Sequence, residues 1–443
     1  MIEDVSREKW TAIYAFLVMD VIQIIIVSML YLDDSNLFVV GINFSQTNPL
    51  ISASLFIGIS VMQIAMLYVS AGQMLRRPDL IELYPRFDEE IPWHKKYSRD
   101  DVVKWTQDLA NKSGVSVNKI YLMASPLPNA YTFSLPLLGS IVVVHSNVLD
   151  VLNKDEIQAI IAHELGHIKN NDSFVTILTR MPGFFIDIIY LYIYVRLILA
   201  IANSLFIDGD LFAAGVRALV LIGFFLLSRV LTIVSRLFMQ KAARSAELMS
   251  DYHAASVLGH EVAINGLIRL GQRAEAITVL VDEIRWLESL NPERVGSISN
   301  VELMKMITQY PLDGLEEQNA RQIAPRVFLT TRLKQMRDVY GIVLSDDQIE
   351  EAVTPALEPL LKTRNDVKPI SETTRAQQVV DWRKVDYDGD RRLSSDEIIE
   401  LLKKLRNQPS KMLFDMEVGV NQLLLAHPDF RRRILFIADE FGL

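Results

Sequence analysis

The chain has 443 residues, half of them hydrophobic and 22% charged, with a net charge of −9 and no cysteine. That length allows a membrane part and two or three globular parts, and the positive mean hydropathy makes membrane spans the first feature to seek. Without cysteine there are no disulfides, thiolate metal sites or cysteine nucleophiles, and the acidic balance argues against a nucleic-acid partner, whose phosphates need a basic surface.

Four apolar runs cover Trp10 to Leu32, Leu50 to Ala71, Phe184 to Phe206, and Leu211 to about Arg236. Each exceeds the roughly 20 residues that cross a bilayer as a helix. The first is too long for a cleavable leader and lacks a small-residue cleavage site, so it is expected to stay. The loops 33–49 and 207–210 carry no Lys or Arg, whereas Arg76, Arg77, Lys95 and Lys96 follow the second run and Arg236, Lys241 and Arg244 follow the fourth. By the positive-inside rule both short loops face out, and both termini and all large segments face the cytoplasm. The expectation is a multi-pass protein of the plasma membrane in a lipid bilayer. Asp20 and Arg196 fall near mid-bilayer, where charge is costly. They are expected to pair, or Arg196 to snorkel or line a wet cavity.

Between the second and third runs, residues 100–113 read as a helix and residues 120–123 and 140–144 as strands, the latter a continuous β-branched run. Asn153 offers an N-cap, with Glu156 placed to close a capping box. That helix runs through Ile157, Ile160 and Ile161 into His163. Beyond the fourth run, residues 245–258, 261–288 and 327–339 are helical in pattern. Residues 362–374 are polar, contain Pro369 and read as a linker. No internal repeat is present.

His163-Glu164-Leu165-Gly166-His167 spells HExxH. On a helix, residues four apart differ by only about 40° in direction, so both imidazoles face one point. Two neutral imidazoles at that spacing suit Zn2+. Glu164, beside the first ligand, can take a proton from the attacking water and pass it to a leaving amine. A third ligand is required. Glu247 and Asp251 share one helix face. Glu247 can ligate, and Asp251 can accept the free N–H of a ligand imidazole. The same pair also fits a solvated acidic face beyond a membrane helix. Tyr252 and His253 read as packing residues, and His94, His145 and His260 as structural.

Residues 386–397 resemble a calcium loop. Oxygens would come from Asp386, Asp388, Asp390, the Arg392 carbonyl, Ser394 through water, and bidentate Glu397. Flanking helices are expected, with Val379, Val380 and Trp382 before the loop and Ile398, Ile399, Leu401 and Leu402 after it. The sixth position, normally Gly, is Arg391. A capping box from Ser394 to Glu397 beside a solvated acidic loop explains the same residues.

These motifs together resemble the HtpX-like family of membrane zinc metallopeptidases, gluzincins related to the CAAX prenyl endoproteases. The residues carrying the resemblance are Pro128-Asn129-Ala130-Tyr131, the HExxH with Ile168, Asn170 and Asp172, Glu247 with Asp251, and His427-Pro428 with Arg433. The resemblance implies Glu247 as third zinc ligand with Asp251 as its companion, and Asn129 on the substrate side. It also implies that the late His-Pro…Arg element contacts the substrate near the zinc. His427 would then donate to the oxyanion and Arg433 hold the substrate backbone. The plain alternative for His427 is capping or packing in the last helix.

The expected fold is mainly α with a small β-sheet: four transmembrane helices and a cytoplasmic zincin-type catalytic domain. Its parts are an N-terminal transmembrane hairpin (1–72), a first catalytic half with the HExxH helix (73–172), and a second transmembrane hairpin (173–240). A second half bears the third ligand (241–361), followed by the linker and EF-hand-like segment (362–405) and a C-terminal catalytic element (406–443). The expected activity is zinc-dependent endoproteolysis of membrane or membrane-associated proteins, with calcium modulation as an added expectation. The alternative is a catalytically silent membrane scaffold or calcium sensor.

Overall fold

The computed structural model describes residues 2–32, 40–42, 49–77, 79–83, 96–125, 129–135, 138–290, 298–299, 302, 316–367, 378–417 and 427–443. Residues 33–39 and 43–48 of the first short loop, His94, Pro128 and residues 368–374 of the linker lie outside them. The described residues are mainly helical with a small sheet. They fall into two compact units.

The first unit comprises residues 1–78, 171–247 and His427. Its helices are α1 (Ile2–Met29), α2 (Pro49–Leu75), α6 (Asp172–Phe206) and most of α7 (Leu211–Leu258). A short antiparallel pair, β1 (Leu30–Leu32) with β2 (Val40–Ile42), follows α1. The sequence reading has no strand there: β1 continues the first apolar run without a break in pattern, and β2 falls in the loop read at 33–49.

The fourth apolar run and the predicted 245–258 helix are one element. α7 is 48 residues long, about 72 Å at 1.5 Å per residue. The Ala-rich stretch after Arg236 holds neither Pro nor Gly until Gly259, whose φ of +94° ends the helix. α7 is also the one helix, among the residues described, long and apolar enough to cross a membrane, and only 11% of its most apolar stretch is buried. The expected Asp20–Arg196 pair is absent. Arg196 Nη1 donates to the Tyr192 hydroxyl one turn away at 3.3 Å, while Asp20 Oδ1 is buried without a hydrogen-bond partner.

The second unit comprises residues 79–170, 248–422 and 428–443. Its sheet runs β3-β4-β6-β5, from β3 (Leu80–Glu82), β4 (Lys119–Met123), β5 (Ala130–Leu135) and β6 (Gly139–His145). β4 and β6 pair in parallel, and both outer pairs are antiparallel. Ile141 to Val144 are all at most 1% exposed, which is why β6 reads as an unbroken β-branched run.

Helix α3 (Arg99–Ser113) is capped by Ser98 and ends at Gly114 in the left-handed region. The short α4 (Ser146–Val151) follows β6. Next comes α5 (Lys154–Lys169), which carries HExxH. Its capping box is formed: Glu156 N donates to Asn153 Oδ1 at 3.0 Å, and Asn153 N donates to Glu156 Oε2 at 2.9 Å. Ile157, Ile161 and Leu165 are completely buried in the core against α3 and α8 (His260–Leu290), each contributing about 1.5–3 kcal/mol by leaving water. Farther along α8, a second cluster packs it against α9 (Glu317–Tyr340), which in turn contacts α10 (Asp346–Val367).

The EF-hand-like stretch packs into the second unit. Leu393, Ile398, Leu401, Leu402 and Leu405 join the same core as the HExxH helix. Asn265 of α8 holds both the N–H and the carbonyl of Leu393 at 2.8 Å. The expected entering helix is only a 3-10 turn, Trp382–Lys384, among the described residues, whereas the exiting helix α11 (Ser395–Asn407) is present. The last helix, α12 (Phe430–Phe441), begins with Asp429 as N-cap.

Candidate metal centre

α5 and α7 can touch because Gly166 has no side chain. A Cβ there would stand 2.8 Å from Ser250 Cα and 3.1 Å from His253 Cβ, too close to backbone for any rotamer to relieve. Gly166→Ala is therefore expected to push the two helices apart, costing about 1–3 kcal/mol as an overpacked contact and weakening metal binding. Thermal denaturation and chelator competition measure the two effects. A variant unchanged in both would disprove the contact.

The imidazoles of His163 and His167 converge as helical spacing requires. Their Nε2 atoms lie 3.2 Å apart, close to the roughly 3.4 Å separating two nitrogens that sit about 2.1 Å from a tetrahedral ion. On α7, Glu247 lies one turn before Asp251. Ligand atoms of His163, His167 and Glu247 fall within 4.8 Å of one another. Two imidazoles and one carboxylate are donors that suit Zn2+, leaving a fourth position for water or substrate.

Behind the imidazoles stands a buried chain of charge. His163 Nδ1 lies 2.9 Å from Asp251 Oδ1, so the Nδ1 proton points at the carboxylate and Nε2 keeps its lone pair for the metal. Arg433 of α12 grips the same carboxylate bidentately, donating from Nε to Oδ2 at 2.7 Å and from Nη2 to Oδ1 at 2.6 Å. Burial pushes the Asp251 carboxyl up, but the Arg433 guanidinium and then His163 outweigh it and hold it below the ordinary value.

Arg433, expected to hold the substrate backbone, has a side chain 7% exposed with its donors turned to Asp251. His427 is exposed, with Nδ1 2.9 Å from Glu247 Oε1. Asn129 is exposed just before β5, one of the two edge strands of the sheet.

Glu164 has a partner the sequence did not disclose. Thr132 Oγ1, on β5, lies 3.2 Å from Glu164 Oε2 and 3.2 Å from its carbonyl oxygen. No local pattern marks a threonine on one strand as the neighbour of a helix residue 32 positions later. Glu417 was missed for the same reason. Its carboxylate accepts from Phe430 N at 2.7 Å and Phe414 N at 3.3 Å, tying the start of α12 to the chain before it, and burial pushes its carboxyl up to about 7. His253 is no ligand: Nε2 is 2.9 Å from Ser113 Oγ. Burial first, then the nearby Lys169 ammonium, bring its imidazole down to about 4, so it packs in neutral form.

In the acidic loop, Asp386, Asp388 and Asp390 bring three carboxylates within 4.8 Å. Arg391 adopts φ +68° at the position where such loops normally place Gly. Glu397 faces inward but is already engaged, accepting from Tyr387 N and Ser394 N, each at 2.8 Å. Arg392 reaches out of the loop to Asp155 of α5 at 3.2 Å.

A family model described as Peptidase family M48 matches residues 98–440. A protease HtpX homolog of Sulfurihydrogenibium sp. (strain YO3AOP1) is 28% identical over 229 residues, 50% of this chain and 71% of that one. A second, from Picrophilus torridus, is 32% identical over 118 residues, 26% of this chain and 38% of that one. The crystal structure of S. mikatae Ste24p is similar at a TM-score of 0.27 and 21% identity, over 48% of this chain and 50% of that one.

Proposed function

The chain belongs to peptidase family M48, and from that premise we propose that it is a membrane-bound zinc endopeptidase cutting peptide bonds of membrane or membrane-associated proteins. The observation that carries this reading is the convergence of His163, His167 and Glu247, with Asp251 behind His163. These three would hold Zn2+, which when bound supplies a Lewis acid that acidifies water and polarises a carbonyl.

The remaining chemistry belongs to the chain's own groups. Glu164 takes the proton of the attacking water and delivers it to the leaving amine. Thr132 limits the swing of that carboxylate. Asp251 and Arg433 keep His163 in one tautomer and one orientation. Asn129, ahead of β5, meets the substrate. His427, on an exposed and adjustable ring, donates to the oxyanion.

The membrane placement is part of the proposal: four spans, both short loops outside, and the metal centre on the cytoplasmic side of the plasma membrane. Supporting it are the lengths of α1, α2 and α6, at 28, 27 and 35 residues, and bare apolar side chains such as Ile57, Val61, Leu219, Leu226, Val230 and Ile233, each more than half exposed. A surface of that kind suits lipid, not water.

The test is peptide hydrolysis by the purified full chain. Activity is expected to vanish on chelation and to return with Zn2+. Activity that survives removal of all metal would overturn the reading.

A second reading, calcium modulation through the 386–397 loop, is favoured by the left-handed Arg391 and the three gathered carboxylates. Calcium binding to the folded state would raise the melting temperature. No rise in the full chain at millimolar Ca2+ would remove it.

A further inference from the structure

Two adjacent residues near the start of α1 each form an ion pair with a different helix. Lys9 pairs with Asp172, the first residue of α6. Both are buried, Lys9 to 1% exposure and Asp172 to 4%. Glu8 Oε1 lies 2.9 Å from Lys241 Nζ on α7. Ala12 and Ile13, one turn on, pack against Ala242 with Leu17 beside them.

The two partners occupy particular places in the chain. Asp172 is five residues beyond His167, across the turn in which Asn171 takes a left-handed φ of +54°. Asn is among the few residues besides Gly that take that conformation, and it does so at single turn positions. Lys241 stands six residues before Glu247 on one unbroken helix. Glu8 and Lys9 therefore grasp, side by side, the segment leaving the HExxH helix and the segment arriving at Glu247.

A lysine at the end of an apolar helix normally snorkels its ammonium into water. This one is completely covered. Burying such a pair is a poor way to gain stability, since desolvation cancels most of the attraction, and its best-attested use is to fix register. We propose that the start of α1 is a positioning element for the metal centre. In this role Lys9 through Asp172, and Glu8 through Lys241, set the separation between the imidazole pair and the Glu247 carboxylate. Lys9 and Glu8 touch neither metal nor substrate. The inference rests on the zinc reading given above.

The test measures zinc affinity by chelator competition on the full chain in detergent, alongside melting temperature, kcat and KM. Lys9→Met keeps the apolar stem and removes the charge. It is expected to weaken zinc binding by about tenfold, the low end of what loss of a group bonded directly to a ligand costs, because Lys9 acts through Asp172. kcat should fall with KM held within about twofold. Exchanging the charges, Lys9→Asp with Asp172→Lys, is expected to restore zinc affinity. A role confined to folding would lower the melting temperature and leave the affinity of the folded protein alone.

Lys9→Met with unchanged zinc affinity overturns the proposal, as does a folded charge exchange that stays weak. Should neither Lys9 variant fold, the half-exposed pair decides. Glu8→Lys must weaken zinc binding and Lys241→Glu added to it must recover it, or the proposal fails. A wild-type chain that takes up no zinc sinks the peptidase reading. A wild type that binds zinc beside a Lys9→Met variant that binds it equally well sinks this inference alone.

Discussion

Glu164→Gln is expected to lower peptide hydrolysis by about 10²- to 10⁴-fold, the usual contribution of a positioned general base, while zinc content and affinity stay within about twofold of wild type because the ligands are untouched. Gln matches Glu in size but cannot take a proton at neutral pH. Its amide still reaches Thr132, which sits 3.2 Å from Glu164 Oε2 and 3.2 Å from its carbonyl oxygen. The loss should therefore appear in kcat, with KM little changed. The result separates two readings of the chain. A silent scaffold would lose nothing when Glu164 changes, since it had no hydrolysis to lose. A structural role for Glu164 would show instead as a lower melting temperature and weaker zinc binding.

The sequence disclosed chiefly what local periodicity encodes. HExxH is a statement about helical angle, so its two imidazoles could be placed from spacing alone. The α5 capping box was legible because both partners lie three residues apart. The small sheet was legible in part: the buried run of β6 announces itself, but β5 and its edge position depend on pairing that no single strand records.

Long-range partners were the blind spot. Arg433 lies 182 positions from Asp251, so the resemblance could single it out for the substrate but the contact with Asp251 could not be read from spacing. The acidic loop was legible only in its acids. The apolar residues around it, Leu393 and Leu401 among them, complete the core under the HExxH helix, a contact that no local pattern records. Gly166 shows a third kind of limit. It could be seen as the x before the second His, but only the approach of Ser250 explains why nothing larger fits.

Arg433→Met is expected to destabilise the chain by about 3–5 kcal/mol, because it takes the guanidinium from a buried carboxylate rather than merely removing a contact. Asp251 is 2% exposed and keeps His163 as its other partner. The pH dependence follows from the sign of the Asp251 shift. Its folded pKa lies below the ordinary 3.8, so the contribution of the pair is fully present above that value and is lost as pH falls through the lowered one. The gap in stability between wild type and Arg433→Met is therefore expected to be constant near neutrality and to close in acid, as denaturant unfolding across pH would record. Adding Asp251→Leu separates stability from function. An apolar pair of similar bulk can recover most of the folding energy, yet nothing then fixes the Nδ1 proton of His163. Zinc affinity should stay about tenfold to a hundredfold below wild type even where stability returns. A double variant that regains both would mean that the pair serves folding alone and that His163 holds its tautomer without help.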